Sequence, residues 1–549
     1  MNDIYQKALN IIQDNIIGPK VGVTNEEINN AVQNVKCMPM FADMDADKLK
    51  LELLAFYSTT VDRYQILEGK ERRMPWLKDF KANKNSQWEF WVRYSDYLSR
   101  QKKFAPSVIS QLDELTDKIL DKLFNPQRND IEIDKKGLVV GQVQSGKTAN
   151  YTGLICKAAD AGFNLIVVLA GIHNNLRSQT QTRIDEGFLG FDTQYERAYS
   201  MNQTTKIGVG LIPGFESAIA NSYTTSLENG DFTKNAANHA GFNFNAPQPV
   251  ILIIKKNASV LKRLYSWLQS QSEGNKITNK TLLVIDDEAD NASINTKKRS
   301  DREEEQERTA INGSICSIIA LFNRSAYVGY TATPFANIFI PLDEHDLFPR
   351  DFIINIPAPS NYIGPEKVFG TSPVPDETDN DLLPIVSSIK DYEYFVPQGH
   401  KKDDDKPTFS DIPESLKTAI KCFIVSCTIR IARGQETKHN SMLIHISRYQ
   451  MWQNHIKDLV ERLFNYYKHE IEASDPAMLE EFRKILEADT ANYKSYKTVT
   501  TEIQQSAFKN IDNNLTVHSW EEIKPLLFKA VQKVEVKSIN GTSGDCLTY

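Results

Sequence analysis

Eight residues constrain this chain more than any others: GQVQSGKT, Gly141–Thr148, set between the apolar run GLVV and the helical stretch TANYTGLICKAAD. They fit G-x-x-x-x-G-K-[ST] at every fixed position. Gly141 and Gly146 let backbone N–H groups turn inward around phosphates, and the helix that follows adds its positive dipole end. Gln142, Gln144 and Ser145 complete the loop. The pattern predicts an ATP site in which Lys147 bridges the β- and γ-phosphates and the Thr148 hydroxyl binds Mg2+.

A second segment, TLLVIDDEAD at 281–290, reads as a buried strand ending in carboxylates. An ATPase needs one carboxylate there to hold magnesium and another to orient the attacking water. Asp287 is assigned to the metal and Glu288 to the water, with Asp286 the alternative to Asp287 one position away. A third segment, YTATPFANIF at 330–339, places Thr331 and Thr333 at the end of another predicted strand. Their hydroxyls are expected to bond Asp290 and sense its position.

These segments lie in one patterned region. From 126 to about 345, the apolar runs GLVVG, NLIVVLAG, KIGVGLI, PVILIIKK, TLLVIDDEAD and SAYVGYTATP alternate with helical stretches. Runs without polar alternation indicate strands buried on both faces, hence a doubly wound α/β domain. The polar stretch SLENGDFTKNAANHAGFNFNAPQ reads as a long loop. Residues 1–125 have helical periodicity and form a predicted helical domain. Within it, Trp76, Trp88, Trp91 and Tyr94 with Lys81, Lys84, Arg93 and Arg100 are either a stacking surface for single strands or, more plainly, a helical core with a basic face. The proline-rich stretch 346–412, with KKDDDK at 401–406, reads as a linker or insertion. Residues 413–549 offer a helix, the strand SMLIHIS, long helices and the strand VEVKSIN, the start of a second α/β lobe.

A net charge of -7 argues against a broad nucleic-acid footprint, so any such contact must be local. Six scattered cysteines form neither a disulfide frame nor a zinc site. No apolar run reaches the ~18 residues of a membrane span, so the expectation is a soluble, cytoplasmic protein without a membrane partner. His173 and His445 adjoin strand ends and are expected to be structural. Asp130, Glu132 and Lys136 lie close in sequence without the strand pattern of a nuclease.

The glycine loop, the acids Asp287–Asp290 and Thr331-Ala332-Thr333, in this order, resemble superfamily 2 helicases. VVLAGIHNNLRSQTQTRID, with Leu176 and Gln179, is similar to the family segment that touches the nucleic-acid backbone, with Arg177 and Arg183 as further candidates there. The long segments GQVQSGKTANYTGLICKAADAGFNLIVVLAGIHNNLRSQTQTRID, LLVIDDEADNASINT, AYVGYTATPFANIFI and HNSMLIHISR look like the Z-one domain family of helicase-related bacterial proteins, often labelled endonucleases. That resemblance implies RecA-like lobes, the second incomplete within this chain, and a place in bacterial phage-defence or restriction gene clusters. In the family, the second lobe supplies an arginine that completes the ATP site. Such a residue is worth about three to five decades in rate in related enzymes, so weak hydrolysis by this chain alone is expected. The expected function is an ATP-driven helicase-like translocase acting on nucleic acid, DNA above RNA. The alternative is an ATP-dependent switch that remodels a protein partner of a defence complex.

Overall fold

A computed structural model describes residues 2–539 apart from 58–63, 70–74, 84–87, 143–145, 196–204, 241–243, 273, 292, 294–302, 339, 341–345, 359–361, 371–381, 394, 398, 401–406, 408, 448, 510, 511, 513 and 514. The chain divides into a larger unit, 4–362, and a smaller one formed mainly by 363–549. Among the described residues no helix is long and apolar enough to cross a membrane.

The larger unit is built on eight strands: β1 (Gln65–Glu68), β2 (Ile133–Gly141), β3 (Leu165–Leu169), β4 (Asn221–Ser222), β5 (Val250–Ile254), β6 (Ile277–Asp287), β7 (Phe322–Thr331) and β8 (Phe352–Ile356). They form one sheet in the order β1-β8-β2-β7-β6-β3-β5-β4. Every pairing is parallel except β1 with β8. The apolar runs behave as expected for strands covered on both faces. Alternate residues Ile166, Val168, Ile251, Ile253, Leu283 and Ile285 enter one core. Their neighbours Leu165, Val167, Leu169, Val250, Leu252, Leu282 and Val284 enter the other. The pleat, with its period of two, divides each run between the two layers.

Three sequence expectations need correction here. KIGVGLI is not a strand: Gly208–Leu211 is a short 3-10 turn. Gly208 has φ +50, and a Cβ on it would run into the carbonyl of Glu186. The glycines there serve a close backbone approach rather than a ladder. The sheet also extends past residue 345, because FIINI pairs beside β2 as β8. Finally, the otherwise helical N-terminal region contributes β1 to the sheet edge. Its first helices, including Asn25–Lys36 and Ala46–Tyr57, enclose a small core of their own around Ile12, Val32, Val35, Phe41 and Leu53.

The smaller unit is helical among its described residues, with helices Glu414–Ala432, Gln450–Glu472, Pro476–Glu487 and Tyr496–Gln505 around Ile424, Trp452, Phe464, Phe482 and Leu527. Among the described residues, SMLIHIS and the described part of VEVKSIN form neither helix nor strand. Met442, Ile444, Ile446, Val534 and Val536 pack on the helical core. Leu443, between the first two, stands 87% exposed, and Ile539, beyond Val536, 48% exposed. The alternation of a half-buried strand is present without the ladder, because a strand needs neighbours that the described residues do not supply.

Candidate functional site

β2, β7 and β6 lie side by side and parallel, with Val140 opposite Thr331 and Asp287 opposite Tyr330. Their C-terminal ends are therefore level. The glycine loop after β2, the threonine loop after β7 and the acidic turn after β6 emerge together along one edge of the sheet. Ligands of open α/β sheets bind in this position.

In the glycine loop, Gly146 caps helix Lys147–Ala161 with φ +95 and ψ 17. Among the described residues no atom lies within 4 Å of where its Cβ would be, and the dihedral by itself requires glycine. Lys147 arches back, its Nζ donating to the carbonyls of Gly141 (2.9 Å) and Gln142 (3.0 Å). Burial lowers its pKa, while the fields of Asp287, Glu288 and Asp290 oppose that shift. The lysine and the three carboxylates thus share one field. Gln144 and Ser145 lie outside the described residues.

The acidic turn separates the two adjacent aspartates. Asp286 is fully buried, paired with Lys256 at 2.8 Å and accepting from the Tyr327 hydroxyl at 2.6 Å. It is committed to the fold, which leaves Asp287 for the site. Asp287 accepts from the Tyr151 hydroxyl of the helix after the glycine loop, at 3.3 Å. Burial raises its pKa; Lys256 acts against the rise, and Glu288 and Asp286 add to it. Glu288 is exposed and left-handed at φ +56. That conformation is uncommon for a residue with a Cβ, and strong anchors hold it. Lys256 Nζ donates to the carbonyls of Glu288 (2.6 Å) and Asn291 (3.0 Å). Ala289 N–H donates to Tyr330 (2.9 Å), and Asn337 donates to the Ala289 carbonyl (3.1 Å). Asp290 accepts from both Thr331 and Thr333 hydroxyls at 2.6 Å. Thr333 N–H in turn donates to Thr331 Oγ1 at 2.9 Å.

Helix Asn174–Ile184 separates the three nucleic-acid candidates. Arg177 is fully buried, its guanidinium donating to the carbonyls of Thr225 and Leu227. It is a bolt for the loop 225–227 and cannot reach a strand, which corrects the sequence reading. Gln179 is exposed. Arg183 is exposed too, but its Nη1 lies 3.4 Å from Thr148 Oγ1, on the glycine loop.

The aromatic and basic N-terminal stretch is a packing surface. Trp91, Tyr94 and Arg93 are buried, and Arg93 donates to the carbonyls of Phe188 and Ala218. Asp160, on the helix after the glycine loop, accepts from the N–H groups of Phe90 and Trp91, and burial pushes its carboxyl up to about 7. Lys157, one turn earlier, pairs with Asp113 and Asp117 and lies 4.3 Å from the Trp91 ring centre. The N-terminal helices thereby brace the helix that carries Lys147 and Thr148. Lys84 lies outside the described residues.

Asp130, Glu132 and Lys136 do not converge. Asp130 pairs with Arg128, Glu132 with Lys276, and Lys136 is buried beside Asp134. Among the described residues no group of three or more His, Cys, Asp or Glu could hold a metal ion by themselves. Glu132 and Lys136 do line a cavity of about 390 Å³ with Cys316 and Phe322. His173 and His445 are both exposed.

Sequence reasoning missed Lys256, Tyr151, Tyr327 and Asn337. Lys256 had a faint signal, a lysine at the end of an apolar strand, but its neighbour Lys255 has the same one. Lys256, in the bend after β5, is buried, while Lys255 donates to Asn174.

The edge therefore gathers a lysine, a hydroxyl, three carboxylates and a helix N-terminus. Lys147 and the loop amides are suited to phosphate oxygens, and Thr148 and Asp287 supply oxygen ligands of the kind Mg2+ takes. No curated protein matches the chain. All these residues precede residue 340, whereas a family match lies beyond it: residues 415–549 match the family model described as Z1 domain, and this match supports the Z1 family.

Proposed function

We propose that the strand-end site binds ATP with Mg2+ and hydrolyses it, within a RecA-like lobe of superfamily 2 helicase type. The observation that supports this best is the meeting of Lys147, Thr148, Asp287 and Glu288 at the level ends of neighbouring parallel strands. Residues scattered over some 140 positions of sequence share one field there.

In this reading Lys147 and the amides of the glycine loop hold the phosphates. Thr148 and Asp287 hold the metal, which neutralises charge on the phosphate oxygens. Glu288 orients the attacking water, its direction set by the left-handed backbone that Lys256 fixes. Asp290 passes any shift of the acidic turn to the threonine loop through its two hydroxyl bonds. The work done is translocation on nucleic acid, DNA in the first instance, in cytoplasmic bacterial defence against phage.

A second reading, remodelling of a protein partner, is favoured by one observation. Of the three side chains assigned to a nucleic-acid strand, Arg177 is buried and Arg183 faces the glycine loop. The separating experiment is the ATPase rate of the full chain with and without single- and double-stranded DNA, with Lys147→Ala as the inactive control. Stimulation by DNA supports translocation. A rate indifferent to nucleic acid, with nucleotide-dependent affinity for a protein partner, supports remodelling. No magnesium-nucleotide binding at all ends both.

A further inference from the structure

We propose that Arg183 is a phosphate ligand of the nucleotide site, supplied in cis by the same unit that carries the glycine loop. The proposal rests on the nucleotide reading above and adds to it a residue.

The position of Arg183 is imposed by a firmly held helix. Arg177 and Ser178 bond carbonyls of the loop 225–227. Gln181 bonds Asp185 at 2.9 Å and accepts from Thr224 at 2.7 Å. Arg183 extends from the last turn of this helix, exposed at the surface, toward Thr148. The acids nearest in sequence are engaged elsewhere. Asp185 accepts from Thr193 and Gln181, and Glu186 from Tyr97 and Lys102. Among the described residues Arg183 has no ion-pair partner. Its guanidinium carries five N–H donors, and the structure assigns one of them, to a neutral hydroxyl at 3.4 Å. Charge-assisted bonds to oxyanions run about 2.7–2.9 Å, so this is a poor use of a fixed positive charge. A phosphate group beside Thr148 would accept two of those donors at once, in the planar geometry that guanidinium matches and ammonium does not. Lys147 approaches the same loop from the carbonyls of Gly141 and Gln142, so the two cations would hold different oxygens.

The test is equilibrium titration of the full chain with fluorescent ATP and ADP in magnesium, followed by anisotropy, for wild type, Lys147→Ala, Arg183→Ala and Arg183→Lys. A labelled single-stranded oligonucleotide is titrated in parallel. Expected for Arg183→Ala is a nucleotide affinity about tenfold weaker, about 1.4 kcal/mol. Arg183→Lys falls between. Because the side chain is exposed, the melting temperature should match wild type. Unchanged ATP affinity in Arg183→Ala, with Lys147→Ala impaired, overturns the proposal and leaves the nucleotide reading intact. So does a loss confined to the oligonucleotide, which would return Arg183 to a nucleic-acid contact. Wild type that binds neither nucleotide defeats the underlying reading itself.

Discussion

The acidic turn 287–291 and the glycine loop 141–148 sit on neighbouring strand ends, yet they are held in opposite ways. The acidic turn is anchored from every side: Lys256 and Asn337 hold its carbonyls, Tyr330 accepts its N–H, and two threonines hold Asp290. Around the described residues of the glycine loop, Lys147 bonds only carbonyls of its own loop, and Arg183 reaches a single hydroxyl. Groups that set a direction are fixed beforehand, since reorganising charge during a reaction is expensive. Groups that close around an incoming anion are held by contacts it can replace.

Breaking the anchored side should have the largest effect. Lys256→Met leaves Asp286 buried with no cation. It should cost about 3–5 kcal/mol of stability in denaturant unfolding, and adding Asp286→Leu should restore much of that. A Lys256→Met loss no greater than that of an exposed lysine would mean the turn is not anchored there. Next is Thr331→Val, which removes a fully buried hydroxyl between Asp290 and Thr333 N–H. Stability should fall by about 1.5–3 kcal/mol. Nucleotide titration should give an unchanged affinity while steady-state turnover drops; equal losses in both would remove the coupling role.

The pliable side should respond differently. Gly146→Ala meets no atom of the described residues, and the φ of +95 resists it. About 1–2 kcal/mol is expected in a thermal melt, with a much larger loss of nucleotide affinity. A variant as stable as wild type would show that the loop relaxes freely. The smallest effect is a change of slope with pH. Burial lifts Asp185 to about 7, while Thr193 and Gln181 bond its carboxylate and oppose the rise. The folded chain therefore binds this proton more tightly than the unfolded one. The stability it contributes is complete below the ordinary carboxylate range and is lost as pH rises toward about 7. Melting curves of Asp185→Asn should lack this slope, at most about 1.4 kcal/mol per pH unit. Parallel curves for both proteins would mean Asp185 ionises normally.

The meeting of the three loops was legible in the sequence because each joins a signature to the end of an apolar run, and parallel strands bring such ends to one edge. The anchors beneath were not legible. Lys256 reaches the acidic turn from the bend after β5, a strand that β3 separates from β6, and its neighbour Lys255 carries the same sequence signal. Arg177 and Arg183 look alike in sequence, six positions apart on one helix, yet one is buried and the other exposed. β8 escaped notice among prolines, although FIINI has the β-branched character of its neighbours. β1 has only four residues and no apolar pattern to reveal it.

The antiparallel contact of β1 with β8 also bears on how this protein can be divided. Gln65–Glu68 covers the outer rim of β8, and Gly69 N–H continues the cover to Asp351 at 2.9 Å. A fragment beginning near residue 126 would keep the glycine loop and the strands that carry the acidic turn and the threonines, yet it would bare a row of amides and carbonyls on β8. Such rims recruit strands from other molecules. Fragments that retain residues 64–69 should stay dispersed at concentrations where shorter ones clump.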